Sequence, residues 1–127
     1  MRVVDTSAWI ECLKGSALGR TLANELSAPA AWLAPTIVQL ELAKGALRES
    51  DAEKAEDIIV FTSTNYTVIP LDTAIAAFAA ELSTRHKLAT ADAIVYATAQ
   101  LHDAELLTCV RHFENLPSVR YLPNPTH

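Results

Sequence analysis

The sequence predicts a single α/β domain on a mostly parallel sheet of four or five strands. Two observations carry this. Short apolar, often β-branched runs alternate with longer segments of helical periodicity, and the connections between them are short. No internal repeat, low-complexity tract or linker interrupts the alternation, so one domain is expected over 1–127.

Arg2-Val3-Val4-Asp5 reads as the first strand, turning at Asp-Thr-Ser into a helix that begins near Ala8 and ends at Gly15. A second helical piece, Leu18 to Leu26, should stop before Pro29. Trp32-Leu33-Ala34-Pro35 is the second strand. Thr36 then caps a helix carrying Val38, Glu41, Leu42 and Ala43, with Gly45 as its stop. Ser50 or Asp51 opens the next helix, through Ile58, Ile59 and Phe61. Tyr66 to Pro70 is the third strand. Asp72 caps a long helix whose Ile75, Phe78, Ala79 and Leu82 recur at helical spacing. Thr90 caps a helix from Ala91 to Asp103. Glu105 to Cys109 is the fourth strand, Val119 to Leu122 a fifth at the edge, and Pro123 begins a tail.

The chain has 127 residues, half of them hydrophobic, which suffices to bury a core and argues against disorder. Charged residues, Pro or Thr break every apolar run well short of the ~20 residues a membrane span needs. Met1-Arg2-Val3-Val4-Asp5 lacks the apolar core of a signal peptide. Cys12 and Cys109 are far apart in sequence and read as reduced core residues. A cytoplasmic protein without membrane contact is the expectation. Fifteen Asp and Glu against ten Lys and Arg give a net charge of −5. Proteins that coat phosphates usually have the opposite balance. Any nucleic-acid contact must therefore be local or supported by a metal ion.

Sites in open α/β sheets lie beyond the carboxyl ends of the strands. That rule selects Asp5 and favours Asp92, in the first turn of its helix; Glu41 lies a little over one turn into the helix after the second strand. Each has a plain structural role open to it: Asp5 as a helix cap, Asp92 as a complement to the helix dipole, Glu41 as a surface partner of Lys44. Their surroundings argue for more. Glu41 lies within Ile37-Val38-Gln39-Leu40-Glu41-Leu42-Ala43, and Asp92 within Leu88-Ala89-Thr90-Ala91-Asp92-Ala93-Ile94. Acids in apolar settings are costly unless paired or bound to a cation. An oxygen-only donor set suits Mg²⁺ or Mn²⁺, the ions that support in-line phosphoryl displacement. Gly15, Gly19 and Gly45 form no phosphate loop. His86, His102, His112 and His127 have no zinc spacing.

The ordered set of segments resembles the PIN-domain ribonucleases. Val3-Val4-Asp5-Thr6-Ser7-Ala8-Trp9-Ile10-Glu11 resembles their opening motif, and Leu40-Glu41-Leu42-Ala43-Lys44-Gly45 their central Glu helix. Leu88 to Ala99 resembles the third acidic motif, and Leu106-Leu107-Thr108-Cys109-Val110-Arg111-His112-Phe113 the strand and loop of the fourth. The chain's size is most similar to the VapC-like toxins of type II toxin–antitoxin pairs. The resemblance implies a three-layer α/β/α PIN-like fold and an endoribonuclease dependent on Mg²⁺ or Mn²⁺. Asp5, Glu41 and Asp92 take the catalytic, metal-binding positions, and Thr6 or Ser7 assists by hydrogen bonding. It also implies an RNA substrate, a VapB-like antitoxin seated near the acidic pocket, and a homodimer, for which Trp9 and Trp32 are candidate apolar anchors or, equally, core residues. The family's fourth acid falls at Val110, which cannot coordinate a metal. His112, Glu114 and Asp103 are the nearby candidates to compensate. The expected function is RNA hydrolysis by a metal-activated water. The alternatives are a catalytically weak PIN-fold module that binds an antitoxin, and a metal-dependent phosphatase.

Overall fold

The computed structural model describes residues 1–26 and 32–123, so the expected stop before Pro29 and the tail beyond Pro123 lie outside the described residues. The strands are β1 (Arg2–Val4), β2 (Trp32–Pro35), β3 (Thr67–Ile69), β4 (Glu105–Thr108) and β5 (Val119–Tyr121). They form one parallel sheet in the order β3-β2-β1-β4-β5. Helices α1 (Thr6–Lys14), α2 (Ala17–Leu26), α3 (Thr36–Arg48), α4 (Ala52–Asn65), α5 (Thr73–His86) and α6 (Thr90–Leu101) complete a three-layer α/β/α arrangement. Parallel strands covered on both faces lose alternation and become continuously apolar. Accordingly Val3, Val4, Leu106 and Leu107 in the two central strands are all buried.

From β1 the chain steps outward through β2 and β3, then returns to lay β4 and β5 on the other side. The β1/β4 junction is therefore the switch point, the place beyond the carboxyl ends of the strands where sites form in sheets of this kind. Val4 is in register with Leu107, and the Asp5 N–H donates to the Leu107 carbonyl at 2.9 Å. That register sets Asp5 and Thr108 side by side at the carboxyl edge.

Three expected helix ends hold as read. Gly15 closes α1 at φ 69°, Asp51 accepts from the Lys54 N–H at 2.9 Å, and Asp72 accepts from the Ile75 N–H at 2.9 Å. Others move. Thr6, not Ala8, is the first residue of α1. Thr36 and Thr90 are the first helical residues rather than caps; Pro35 and Ala89 precede them with no side-chain cap bond. The Thr36 hydroxyl instead accepts from the Leu71 N–H at 3.3 Å. Gly45 does not stop α3, which runs on to Arg48, because Ala46 behind it is buried and keeps the last turn packed. Helix α6 ends at Leu101, and Asp103 turns the chain at φ 51°.

Trp9 and Trp32 are core residues, 8% and 5% exposed, so neither is an anchor for a partner. Trp9 packs edge-on against Tyr66 and Phe61, and the Arg2 guanidinium lies over the Trp32 ring. Among the described residues no helix is long and apolar enough to cross a membrane.

Candidate acidic site at the switch point

Asp5 occupies the N-cap position of α1, yet its side chain makes no cap bond. Its carbonyl accepts from the Ala8 and Trp9 N–H groups, leaving the carboxylate for other partners. Those partners are two hydroxyls. Ser7 Oγ donates to Asp5 Oδ2 at 2.9 Å, and Thr108 Oγ1 donates to the same oxygen at 2.8 Å. The hydroxyl oxygens in turn accept from the loop after β4: Cys109 N–H to Ser7 Oγ, and Val110 N–H to Thr108 Oγ1, both at 3.0 Å. One network thus fixes the carboxylate, the start of α1 and the end of β4.

Asp5 is 2% exposed, and burial pushes its carboxyl up to about 6. The bonds from Thr108 and Ser7 oppose that shift, while the charge of Asp92 adds to it. The balance is that of a carboxylate whose desolvation outweighs the hydrogen bonds it accepts.

Glu41, half-buried on α3, accepts from Thr6 Oγ1 at 2.7 Å, a bond that ties the start of α1 to α3. It is thus no surface partner of Lys44. Asp92, in the first turn of α6, is also half-buried. Burial raises its carboxyl first and the charge of Glu41 second, while His112 lowers it. Each acid therefore lies in the field of another: Asp5 in that of Asp92, and Asp92 in that of Glu41. Even so, no three His, Cys, Asp or Glu side chains among the described residues stand close enough together to hold a metal ion.

Of the residues that could compensate for Val110, only His112 acts on Asp92. Glu114 pairs with Arg111, and Asp103 sits in the turn at the far end of α6. Val110 itself is partly buried against the core. Cys12 and Cys109, though remote in sequence, lie within each other's electrostatic reach. Both are free, and burial, with Glu11, Asp5 and Cys12 adding, pushes the Cys109 thiol up to about 11. It is a protonated neighbour of the site rather than a soft metal ligand.

Thr108 in this network and Glu11 beside it are missing from the expected site. Thr108 was legible only as part of a strand, since its role follows from the β1–β4 register. Glu11 is a buried acid in α1, accepting from Ser16 Oγ at 3.0 Å; its place next to Trp9 and Ile10 in sequence was the available signal.

The sequence matches the PIN domain model over residues 2–118, and the chain belongs to the PIN-domain family. Comparison with curated proteins finds no match. Several solved structures share the fold. A chain of a toxin–antitoxin complex from Klebsiella pneumoniae is 25% identical with a TM-score of 0.79, covering 94% of this chain and 96% of that one. A chain of FitAcB from Neisseria gonorrhoeae is 22% identical with a TM-score of 0.73, covering 100% and 99%. A chain of VapBC2 from Rickettsia felis, bound to a promoter DNA fragment, is 15% identical with a TM-score of 0.74, covering 97% and 98%.

Proposed function

We propose that this chain is the toxin of a toxin–antitoxin pair: a cytoplasmic endoribonuclease, one PIN-like domain over 1–127, restrained by a VapB-like antitoxin. The observation that carries this reading is a buried, hydroxyl-held Asp5 at the switch point, in the field of Asp92, which is itself in the field of Glu41. The similarity to a chain of the Klebsiella pneumoniae toxin–antitoxin complex supports the antitoxin half.

Asp5, Glu41 and Asp92 would hold Mg²⁺ or Mn²⁺. The donor set fits a hard cation, because every donor is a carboxylate oxygen and Asp5 is buried among hydroxyls with the Asp92 charge opposing its own. The half-buried Glu41 and Asp92 side chains would have to close on the ion. When bound, such an ion polarises a phosphoryl oxygen and favours attack by water at neutral pH. The chain's own part is positional. Ser7 and Thr108 orient Asp5, Thr6 orients Glu41, and His112 offsets charge on Asp92. Expression of the chain alone in a bacterial host should arrest growth, and Asp92→Asn should not. Arrest by both proteins would contradict the assigned role of Asp92.

A second reading is a PIN-fold module that binds its antitoxin but cuts RNA weakly. Val110, in place of a fourth acid, favours it. So does the lack of a ready ligand trio among the described residues. Val110→Asp distinguishes the two. It adds an oxygen ligand or an acceptor beside Thr108, and should raise Mn²⁺ affinity about tenfold and speed RNA cleavage. In EDTA the same variant should lose about 1 kcal/mol, because Val110 packs against the core and a further carboxylate adds repulsion. Calorimetric titration with Mn²⁺ reads the affinity, and thermal unfolding in EDTA reads the stability. Unchanged affinity and cleavage would show that position 110 does not face the site.

A homodimer is also expected, at twice the chain mass by light scattering. Leu47, Val60 and Phe61, all at least half exposed on α3 and α4, are apolar groups open to a second copy. A monomer at micromolar concentration would contradict it.

A further inference from the structure

A chain of net charge −5 attracts a polyanion only where cations gather without being neutralised already. Arg2, Lys54, Arg111 and Arg120 are engaged with Glu25, Glu105, Glu49 and Glu114. Lys44 and Arg48 are both exposed, and among the described residues neither makes an ion pair. Lys14, Arg20, Arg85 and Lys87 make no ion pair among the described residues either, but Lys44 and Arg48 together share one groove with Glu41. They follow Glu41 on α3, about 4.5 and 10.5 Å further along the helix axis at the α-helical rise. With Thr6, Ile10, Leu40 and Glu41 they line an open groove of about 430 Å³. The groove therefore starts at the Thr6–Glu41 hydrogen bond and runs away from the acids over the two cations.

We propose that this groove is the track for the RNA strand on one side of the bond to be cut, with Lys44 and Arg48 taking two successive backbone phosphates. This rests on the ribonuclease reading above. A strand cleaved at the acids must continue past Glu41, and the groove is continuous with that residue. The two cations are about 6 Å apart along the axis, a step of the same order as one nucleotide of an extended strand. The exposed side chains of Ile10 and Leu40 give bases and riboses an apolar wall but no hydrogen-bonding code. Contacts of this kind fix the position of the strand rather than its sequence. The track is also the local cationic contact that the overall negative charge demands.

The test uses the full chain carrying Asp5→Asn, which keeps the RNA intact, and a labelled ten-nucleotide oligouridylate in Mg²⁺. Adding Lys44→Gln and Arg48→Gln should weaken binding about tenfold at low salt. The slope of log affinity against log salt should become shallower by about 0.7 for each cation removed. Lys44→Arg should retain the wild-type slope. Arg20→Gln removes a cation held on the Gly15 carbonyl, past the end of α1 remote from Thr6, and should change nothing. An unaltered slope in the double variant overturns the track while leaving the ribonuclease reading in place. Failure of the Asp5→Asn parent to bind the oligonucleotide overturns both. If the double variant keeps its RNA affinity and loses that for a ten-residue oligoglutamate peptide, the groove serves a protein partner and the track fails.

Discussion

Asp5→Asn is expected to abolish RNA cleavage and to stabilise the fold at neutral pH. The catalytic loss should reach about a thousandfold, since removing one of three carboxylates weakens a hard-cation site by several kcal/mol. The gain in stability follows from burial. Asp5 titrates near 6 in the folded chain against 3.8 for an ordinary aspartate. Between those values the folded state holds the proton more often than the unfolded state does. Stability must then fall as pH rises through the window, and the full penalty, about 3 kcal/mol, stands above it. Asparagine carries no charge, and its oxygen can still accept from Ser7 and Thr108. In EDTA at pH 7.5, scanning calorimetry should show Tm higher by roughly 5–10 °C for the variant, with the difference gone near pH 3, below the ordinary aspartate value of 3.8. Equal Tm values at both pH values would mean that burial of the Asp5 charge costs nothing. A gain in stability together with a loss of function is the trade expected where a fold holds a destabilised group for chemistry.

Gly19→Ala should have the largest effect on folding. A Cβ at Gly19 would stand 1.9 Å from the Glu11 carbonyl oxygen and 2.5 Å from its carbon. Both are backbone atoms, so relief requires α1 and α2 to move apart. That movement would expose Leu22, which is fully buried, and break the Ser16 cap on the Gly19 N–H at 2.9 Å. A loss of more than about 3 kcal/mol is expected by urea denaturation. Gly45→Ala is the contrast. Nothing lies within 4 Å of its added methyl inside α3, so stability should rise by about 0.5–1 kcal/mol. Loss of stability in the Gly45 variant, or none in the Gly19 variant, would contradict this account of the two helix contacts.

The sequence made the fold class legible because local signals agreed: apolar runs mark β1 and β4, and Gly15, Asp51 and Asp72 mark helix ends. Where it misled, tertiary packing outweighed local propensity. Gly45 looked like a stop but lies within a packed turn, and between anchor and core, both open for Trp9 and Trp32, neighbouring aromatics and Arg2 decide for core. The acids of the candidate site were legible from their apolar flanks. The hydroxyl network around Asp5 was not. The Thr108–Asp5 bond joins residues 103 apart and exists only through the β1–β4 register. Likewise the sequence offered Lys44 as a partner for Glu41, whereas the fold satisfies Glu41 with Thr6 and leaves Lys44 on the groove wall.

The most direct measurement is cleavage of labelled total RNA by the purified chain in Mn²⁺, in Mg²⁺ and in EDTA, with Asp5→Asn and Asp92→Asn alongside. A ribonuclease centred on Asp5, Glu41 and Asp92 cuts in either metal, is silent in EDTA, and is silent in both variants. Cleavage that survives EDTA, or survives either substitution at the wild-type rate, would contradict the assignment.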